Sequence, residues 1–274
     1  MLNFAVNRQT CTHCGHCAAD CPARIIRLDE DGFPAIAADQ EPACYRCQHC
    51  LAICPPGAIS ILGRQPEDSL PLARRFPDPL AMETLIKGRR AVRRYREENL
   101  APELIAKLLE VAGHAPSGRN ARQVRFTLVD DRARLSGLRD ELITLLRRRI
   151  EAGLPERLGF FAGLVKLWDE EGIDFLFRGA PHLLITSSPG EVATPIPDCL
   201  IALSYFELYA QSQGLGTVWG GLATWVISDL VPEIRPRLGI PADHVIGYAM
   251  AFGRPAVKYA RTVQHGQPLV HVVR

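Results

Sequence analysis

The sequence predicts an α+β chain in two parts: a small cysteine-rich N-terminal domain, then a larger domain whose helices flank a mixed or antiparallel sheet. Three observations lead there. The first is a cysteine repeat, "CTHCGHCAADCP" from Cys11 to Pro22 and "CYRCQHCLAICP" from Cys44 to Pro55. The second is "GRQPEDSLPLARRFPDPL" (Gly63–Leu80), rich in proline and charge and without a sustained period, which reads as a linker. The third is a change of texture from Ala81 onward, where helical patterns alternate with short apolar runs. Domains are therefore expected at residues 1–62 and 81–274, joined by 63–80.

Each element has its own warrant. Both halves of the repeat end in Cys-Pro and run into a β-prone piece, "ARIIRL" and "GAISIL". "PELIAKLLEVAGHA" predicts a helix, because Leu104, Leu108 and Val111 recur at helical spacing, with Pro102 early and Gly113 late. "VRFTLVDD" and "HLLITSS" predict strands, the second a short buried run. Leu142–Phe177 reads as helices interrupted at "AGLP" and "EEG". "CLIALSYFELYAQSQGLG" reads as a mostly apolar helix of about five turns, ending on glycine and buried on most sides. "DHVIGYAMAFGRP" reads as a strand with a Gly/Pro exit.

The bulk properties exclude several classes. At 274 residues, 47% hydrophobic and 23% charged, the chain has the profile of a soluble globular protein. A net charge of +2 argues against a global role on nucleic acid or on a membrane surface. No apolar stretch approaches the roughly 18 residues that span a bilayer. "MLNFAVNRQTC" lacks a charged segment followed by an apolar one, so no signal peptide is expected. Clustered cysteines without a secretory signal point to a reducing compartment, the cytoplasm, and to metal over disulfides.

Each half of the repeat has the spacing C-x2-C-x2-C-x3-C-P. Three cysteines at short, equal intervals can wrap three corners of an iron–sulfur cubane. Structural zinc usually takes two ligands from each of two separated knuckles, so this spacing would leave a thiolate unused. Zinc, disulfides and a redox thiol relay are the other readings of such cysteines. The spacing is that of bacterial two-cluster ferredoxins, which residues 1–62 resemble. The resemblance implies two [4Fe-4S] clusters with crossed ligation. Cys11, Cys14, Cys17 and Cys54 would hold one, and Cys44, Cys47, Cys50 and Cys21 the other. His13, His16 and His49 lie between ligands and read as loop residues.

The second part carries a different signature. "RRAVRRYREENLAPELIAKLLEVAGHAPSGRNARQVRFTLVDD" resembles the opening of the nitroreductase family of flavoproteins, R-R-S-[IV]-R-x-[FY], a helix, then A-P-[ST]-x-x-N-x-Q-P. "FRGAPHLLI", "GLGTVWGG" and "GYAMAFGRPAVKYAR" agree with it in order and spacing. The resemblance implies a nitroreductase-like α+β fold that binds FMN as a homodimer. Arg89 and Arg93, with Arg90 beside them, would meet the phosphate and ribityl chain, as guanidiniums suit a dianion. Lys258 and Arg261 would close that site from the C-terminal end. Pro116, Ser117 and Asn120 of "APSGRN" would meet FMN at the dimer interface. Trp219, Gly220 and Gly221 would line the ring, with one glycine amide facing flavin N5.

Alternatives stay open at several of these positions. "RRAVRRYR" alone would read as a solvated basic face, and the glycine pair as a helix exit. The chain also departs from the family. Ala91 stands where the family often has Ser, and Arg122 with Gln123 replaces the usual Gln-Pro. Arg122 reads equally as a ligand of flavin O2 or of an acidic substrate, and as an exposed loop arginine. Cys199 reads as a core residue, and His114 and His182 as core or capping residues.

No catalytic side chain can be named: there is no Ser/His/Asp triad, no P-loop and no G-x-G-x-x-G. The expected function is that of an FMN-dependent oxidoreductase. Electrons from a low-potential donor such as ferredoxin would pass through its own clusters to FMN, then to an electron-poor acceptor (nitroaromatic, quinone or enone). An electron carrier without an organic substrate, and a specialised reductive enzyme such as a dehalogenase, are the alternatives. Leu142–Phe177, with Phe160, Phe161, Trp168 and Phe175, would cover the open face of the ring or pack the dimer.

Overall fold

The computed structural model describes all 274 residues. The chain divides into two compact units, Met1–Pro77 with Arg119–Ala121, and Asp78–Gly118 with Arg122–Arg274.

The first unit contains β1 (Ala5–Val6), α1 (His16–Ala19), β2 (Ile26–Leu28), β3 (Pro34–Ile36), α2 (His49–Ala52) and β4 (Ile59–Ser60). β1 pairs antiparallel with β4, and β2 with β3. The sequence repeat is also a backbone repeat. α1 and α2 are single turns, each preceded by a left-handed residue, Gly15 (φ 70°) and Gln48 (φ 61°). His13 (φ 55°) and Arg24 (φ 54°) recur as Arg46 (φ 54°) and Gly57 (φ 63°). Left-handed steps are unfavourable for residues with a Cβ, so their recurrence in both halves, at His13 and Arg46 without glycine in either, marks a conformation that the surroundings impose. Leu2, Ile25, Ile26, Leu51, Ile59 and Ile61 form the small core, together with Cys17 and Cys50.

The second unit contains α3 (Pro79–Gly88), α4 (Pro102–Ala112), β5 (Arg125–Val129), α5 (Arg132–Glu151), α6 (Phe160–Glu171), β6 (His182–Pro189), α7 (Pro195–Ser212), β7 (Gly216–Trp219), α8 (Gly221–Trp225) and β8 (His244–Gly253). The sheet order is β5-β6-β8-β7, and every neighbouring pair is antiparallel. Ala91 bridges Thr217 in the parallel sense, and the Val92 amide donates to the Thr217 carbonyl at 2.8 Å. This extends the β7 edge with the segment that carries the arginines.

Helices cover both faces of the sheet. Leu183, Ile185, Ala249 and Ala251 pack on one side with Leu142, Leu146 and Phe161; Leu184, Met250 and Phe252 pack on the other with Leu108 and Phe206. The period of two along each strand therefore sorts residues between two cores, and β6 is buried on both faces for that reason. The fold is α+β, as expected.

Several elements differ from the expectation. α3 begins inside the stretch read as a linker: the Asp78 carboxylate accepts the Leu80 and Ala81 amides at 2.9 and 3.1 Å, and Pro79 holds the first helical position. α5 begins ten residues before Leu142, at Arg132, where the Asp131 carboxylate accepts the Arg134 amide at 2.9 Å. Charged residues crowd its first turns, yet Leu135, Leu138, Leu142 and Leu146 are buried at helical spacing. α7 starts at Pro195. Of the four aromatics expected over the ring, Phe161 and Phe175 lie in the core, Trp168 packs against it and Phe160 is exposed.

Candidate metal centres and cofactor site

In the first unit the eight clustered cysteines line two hollows. Cys11, Cys14 and Cys17 share a hollow with Cys54, while Cys44, Cys47 and Cys50 share a second hollow with Cys21. α1 places Cys17 on its buried side, and α2 does the same for Cys50. Burial is the main cause that raises the Cys17 thiol, and Cys54 and Cys14 add to it through their charge. Burial likewise pushes Cys50 up to about 11, with Cys47 and Cys44 contributing. Four thiolates crowded into an apolar pocket need cations among them, which is what a cluster's iron supplies.

No three His, Cys, Asp or Glu side chains close tightly enough to hold a single metal ion. The two tetrads instead rim hollows, an arrangement that fits a body of several atoms. Backbone amides already address two of the sulfurs: Arg46 N–H donates to Cys44 Sγ at 3.3 Å, and Ala58 N–H to Cys54 Sγ at 3.2 Å. Hydrogen bonds of this kind stabilise negative charge on sulfur and tune cluster potentials.

In the second unit the arginine segment runs beside β7. Arg89, one-third exposed, pairs through Nη1 with Glu207 Oε1 at 3.3 Å, and Thr217 Oγ1 donates to the same oxygen at 2.9 Å. Arg90 turns back and caps α3, donating from Nη2 to the Lys87 carbonyl at 2.7 Å and from Nη1 to the Arg89 carbonyl. Arg93 is exposed and joins no ion pair. The Tyr259 hydroxyl donates to the Ala91 carbonyl at 3.3 Å, which brings the Lys258–Arg261 segment against the arginines.

At the other end of β7, Trp219 packs edge-on against Tyr248 with ring centroids 5.3 Å apart. The Gly220 amide is engaged, donating to the Ala249 carbonyl at 2.8 Å. Gly221 is the first residue of α8, where helix geometry provides no intrahelical acceptor, so its amide is the free donor of the pair. A Cβ at Gly221 would come within 2.9 Å of the Tyr248 hydroxyl. The glycine there keeps the backbone approachable.

The "APSGRN" loop is held separately. Asp198, buried near the start of α7, accepts from the Gly118 amide at 3.0 Å and from Thr194 Oγ1 at 2.8 Å. The Arg122 amide donates to Ser117 Oγ at 2.9 Å, and its guanidinium caps α4 at the Gly113 carbonyl, 2.7 Å away. Pro116 is exposed beside them. Asn120 has a left-handed backbone (φ 56°) and groups with the first unit. Nine helical steps along α7, about 13 Å, separate Asp198 from Glu207.

Glu207 and Asp198 are functional-looking residues that the sequence reading passed over. The available signal was a carboxylate within a mostly apolar helix, which needs a partner if it is to be buried. His182 is a core acceptor: its Nε2 takes the Leu100 amide at 2.9 Å, and burial lowers its pKa. Cys199 is fully buried, and burial pushes its thiol up to about 11.

Comparison with known proteins follows the same division. Residues 86–254 match the Nitroreductase family, and residues 10–67 match the 4Fe-4S dicluster domain. The chain is 29% identical over 187 residues to Nitroreductase NfnB of Mycolicibacterium smegmatis, covering 58% of this chain and 77% of that one. It is 30% identical over 138 residues to an iodotyrosine deiodinase of Thermotoga neapolitana, covering 49% of this chain and 70% of that one. A solved nitroreductase with bound FMN from Bacteroides fragilis shares the fold at TM-score 0.56 and 24% identity, covering 69% of this chain and 97% of its own. No helix is long and apolar enough to cross a membrane. The chain belongs to the nitroreductase family and carries a 4Fe-4S dicluster domain, with its two cysteine tetrads, ahead of the nitroreductase domain.

Proposed function

We propose that the protein is an FMN-dependent oxidoreductase that takes electrons from a low-potential donor through its own [4Fe-4S] clusters. It delivers them to an electron-poor organic acceptor such as a nitroaromatic, quinone or enone. The observation that carries this reading is the pair of sulfur-lined hollows on the same chain as a nitroreductase fold. Bound FMN would supply the chemistry, accepting electrons singly and releasing them in pairs.

The chain's own residues bind and orient. Arg89 and Arg93, with Lys258 and Arg261, provide the cations for the phosphate, with Arg90 holding the end of α3 on which that segment begins. The Gly221 amide offers a donor to the ring edge, and Gly220, tied to β8, fixes its direction. Trp219 stands at the same end of β7. Pro116, Ser117, Asn120 and Arg122 would serve the partner subunit of a homodimer, since α7 anchors their loop away from Arg89. The clustered thiols suit the reducing cytoplasm.

A second reading, reductive dehalogenation, is supported by the 30% identity to an iodotyrosine deiodinase. Anaerobic reduction of the purified holoprotein, followed by reoxidation with nitroaromatics, quinones, enones and halophenols, tests both. Fast reoxidation by the first three supports the main reading, and reoxidation by halophenols alone supports the second. No reoxidation by any small acceptor would leave an electron carrier.

A further inference from the structure

We propose that Glu207 is the positioning residue that makes Arg89 a reader of the flavin's phosphate, and so sets the preference for FMN over riboflavin. This rests on the cofactor reading above. Glu207 lies in the C-terminal half of α7, among the buried Leu203, Phe206 and Ala210. Its side chain is only 8% exposed, against 34% for Arg89. A buried carboxylate is costly unless its charge and lone pairs are satisfied. Here one oxygen, Oε1, receives both the Arg89 Nη1 donor at 3.3 Å and the Thr217 hydroxyl at 2.9 Å.

The arrangement fixes direction. Thr217 belongs to β7, whose backbone carbonyl takes the Val92 amide at 2.8 Å, three residues beyond Arg89. The carboxylate is thereby locked to the strand beside which the arginine segment runs. A guanidinium donates in a planar fork, so engaging Nη1 from below fixes the plane of the remaining donors. Those donors stay on the exposed side, where a phosphate can take them in pairs. A free arginine would have to give up rotamer freedom on binding; one already held does not. Glu207 also offsets the charge of Arg89, so Glu207→Gln adds net attraction for the dianion. A loss of FMN affinity in that variant therefore reads the lost orientation of Arg89 and not its charge.

The test compares FMN with riboflavin, which lacks only the phosphate. Flavin-depleted full-length protein is titrated with each, following flavin fluorescence, as wild type and as Glu207→Gln, Thr217→Val, Arg89→Ala and the Glu207→Gln/Arg89→Ala pair. Glu207→Gln should weaken FMN binding roughly tenfold, the loss of one oriented charge-assisted contact, and leave riboflavin binding unchanged. Thr217→Val, which keeps the charge, should move in the same direction by less. In the Arg89→Ala background, Glu207→Gln should change nothing further. A Glu207→Gln variant that loses FMN and riboflavin equally, or neither, overturns the proposal while the phosphate reading stands. If Arg89→Ala itself leaves the FMN preference intact, the phosphate reading of Arg89 fails and the proposal falls with it.

Discussion

Cys54, from the second half of the cysteine repeat, stands at the same hollow as Cys17, from the first, and its charge helps raise the Cys17 thiol. Cys21 makes the reciprocal crossing to the hollow of Cys50. On the crossed assignment, each half of the repeat would complete the other's site. Cys54→Ser should damage the cluster of Cys11, Cys14 and Cys17, and Cys21→Ser the cluster of Cys44, Cys47 and Cys50. Wild-type protein purified anaerobically should hold about eight irons. Electron paramagnetic resonance of the reduced variants, compared with single substitutions of Cys14 and Cys47, checks the pairing. Cys54→Ser matching Cys47→Ser instead of Cys14→Ser would refute the crossing.

The crossed grouping came from the resemblance to two-cluster ferredoxins, whose C-x2-C-x2-C-x3-C-P spacing both halves carry; the spacing alone fixes only the three cysteines of each short loop. The strands of "VRFTLVDD" and "HLLITSS" were legible as well, since β6 is buried on both faces. Elements set by packing were harder to read. α5 opens with "RARLSGLRDEL", whose charges hide a leucine stripe that only the core explains, and β7 is four residues long. α3 was hidden by "PDPL", where the Asp-Pro start of a helix looks like the end of a linker. In the candidate site, the arginines and glycines could be named from pattern. Glu207 and Asp198 could not, because their roles depend on what α7 faces.

Gly221 should resist enlargement through one neighbour. A Cβ there meets the Tyr248 hydroxyl at 2.9 Å, and Trp219 packed on Tyr248 limits how far that ring can move. Gly221→Ala should lower stability by about 1 kcal/mol or more, in the range of overpacked sites. Thermal melts should show most of the loss recovered when Gly221→Ala is combined with Tyr248→Phe. An equal loss in both backgrounds would show that the backbone, not the hydroxyl, imposes glycine.

His182 gives the fold a pH dependence. Its Nε2 accepts the Leu100 amide and must be unprotonated to do so, and burial holds its pKa below the ordinary value. The unfolded chain takes up this proton first as pH falls, so the His182 contribution is full above about pH 6.5 and declines below it. The decline ends at the folded pKa. Denaturant midpoints measured from pH 7.5 downward should fall less steeply for His182→Gln than for wild type. Identical slopes would mean that His182 remains neutral in both states or is solvated in the fold.

Electron entry through the cysteine-held clusters is read from the source of reducing power. Relatives that take hydride from NAD(P)H have no need of two clusters on the same chain. The measurement is the anaerobic rate of flavin bleaching in holoprotein, with reduced ferredoxin or a low-potential chemical donor against NADH and NADPH. It is repeated in the Cys14→Ser and Cys47→Ser variants. Low-potential donors should reduce the flavin fast and the nicotinamides much more slowly, and both variants should lose the fast phase with flavin still bound. Rapid reduction by NADH, together with unchanged rates from every donor in the cysteine variants, would contradict entry through the clusters.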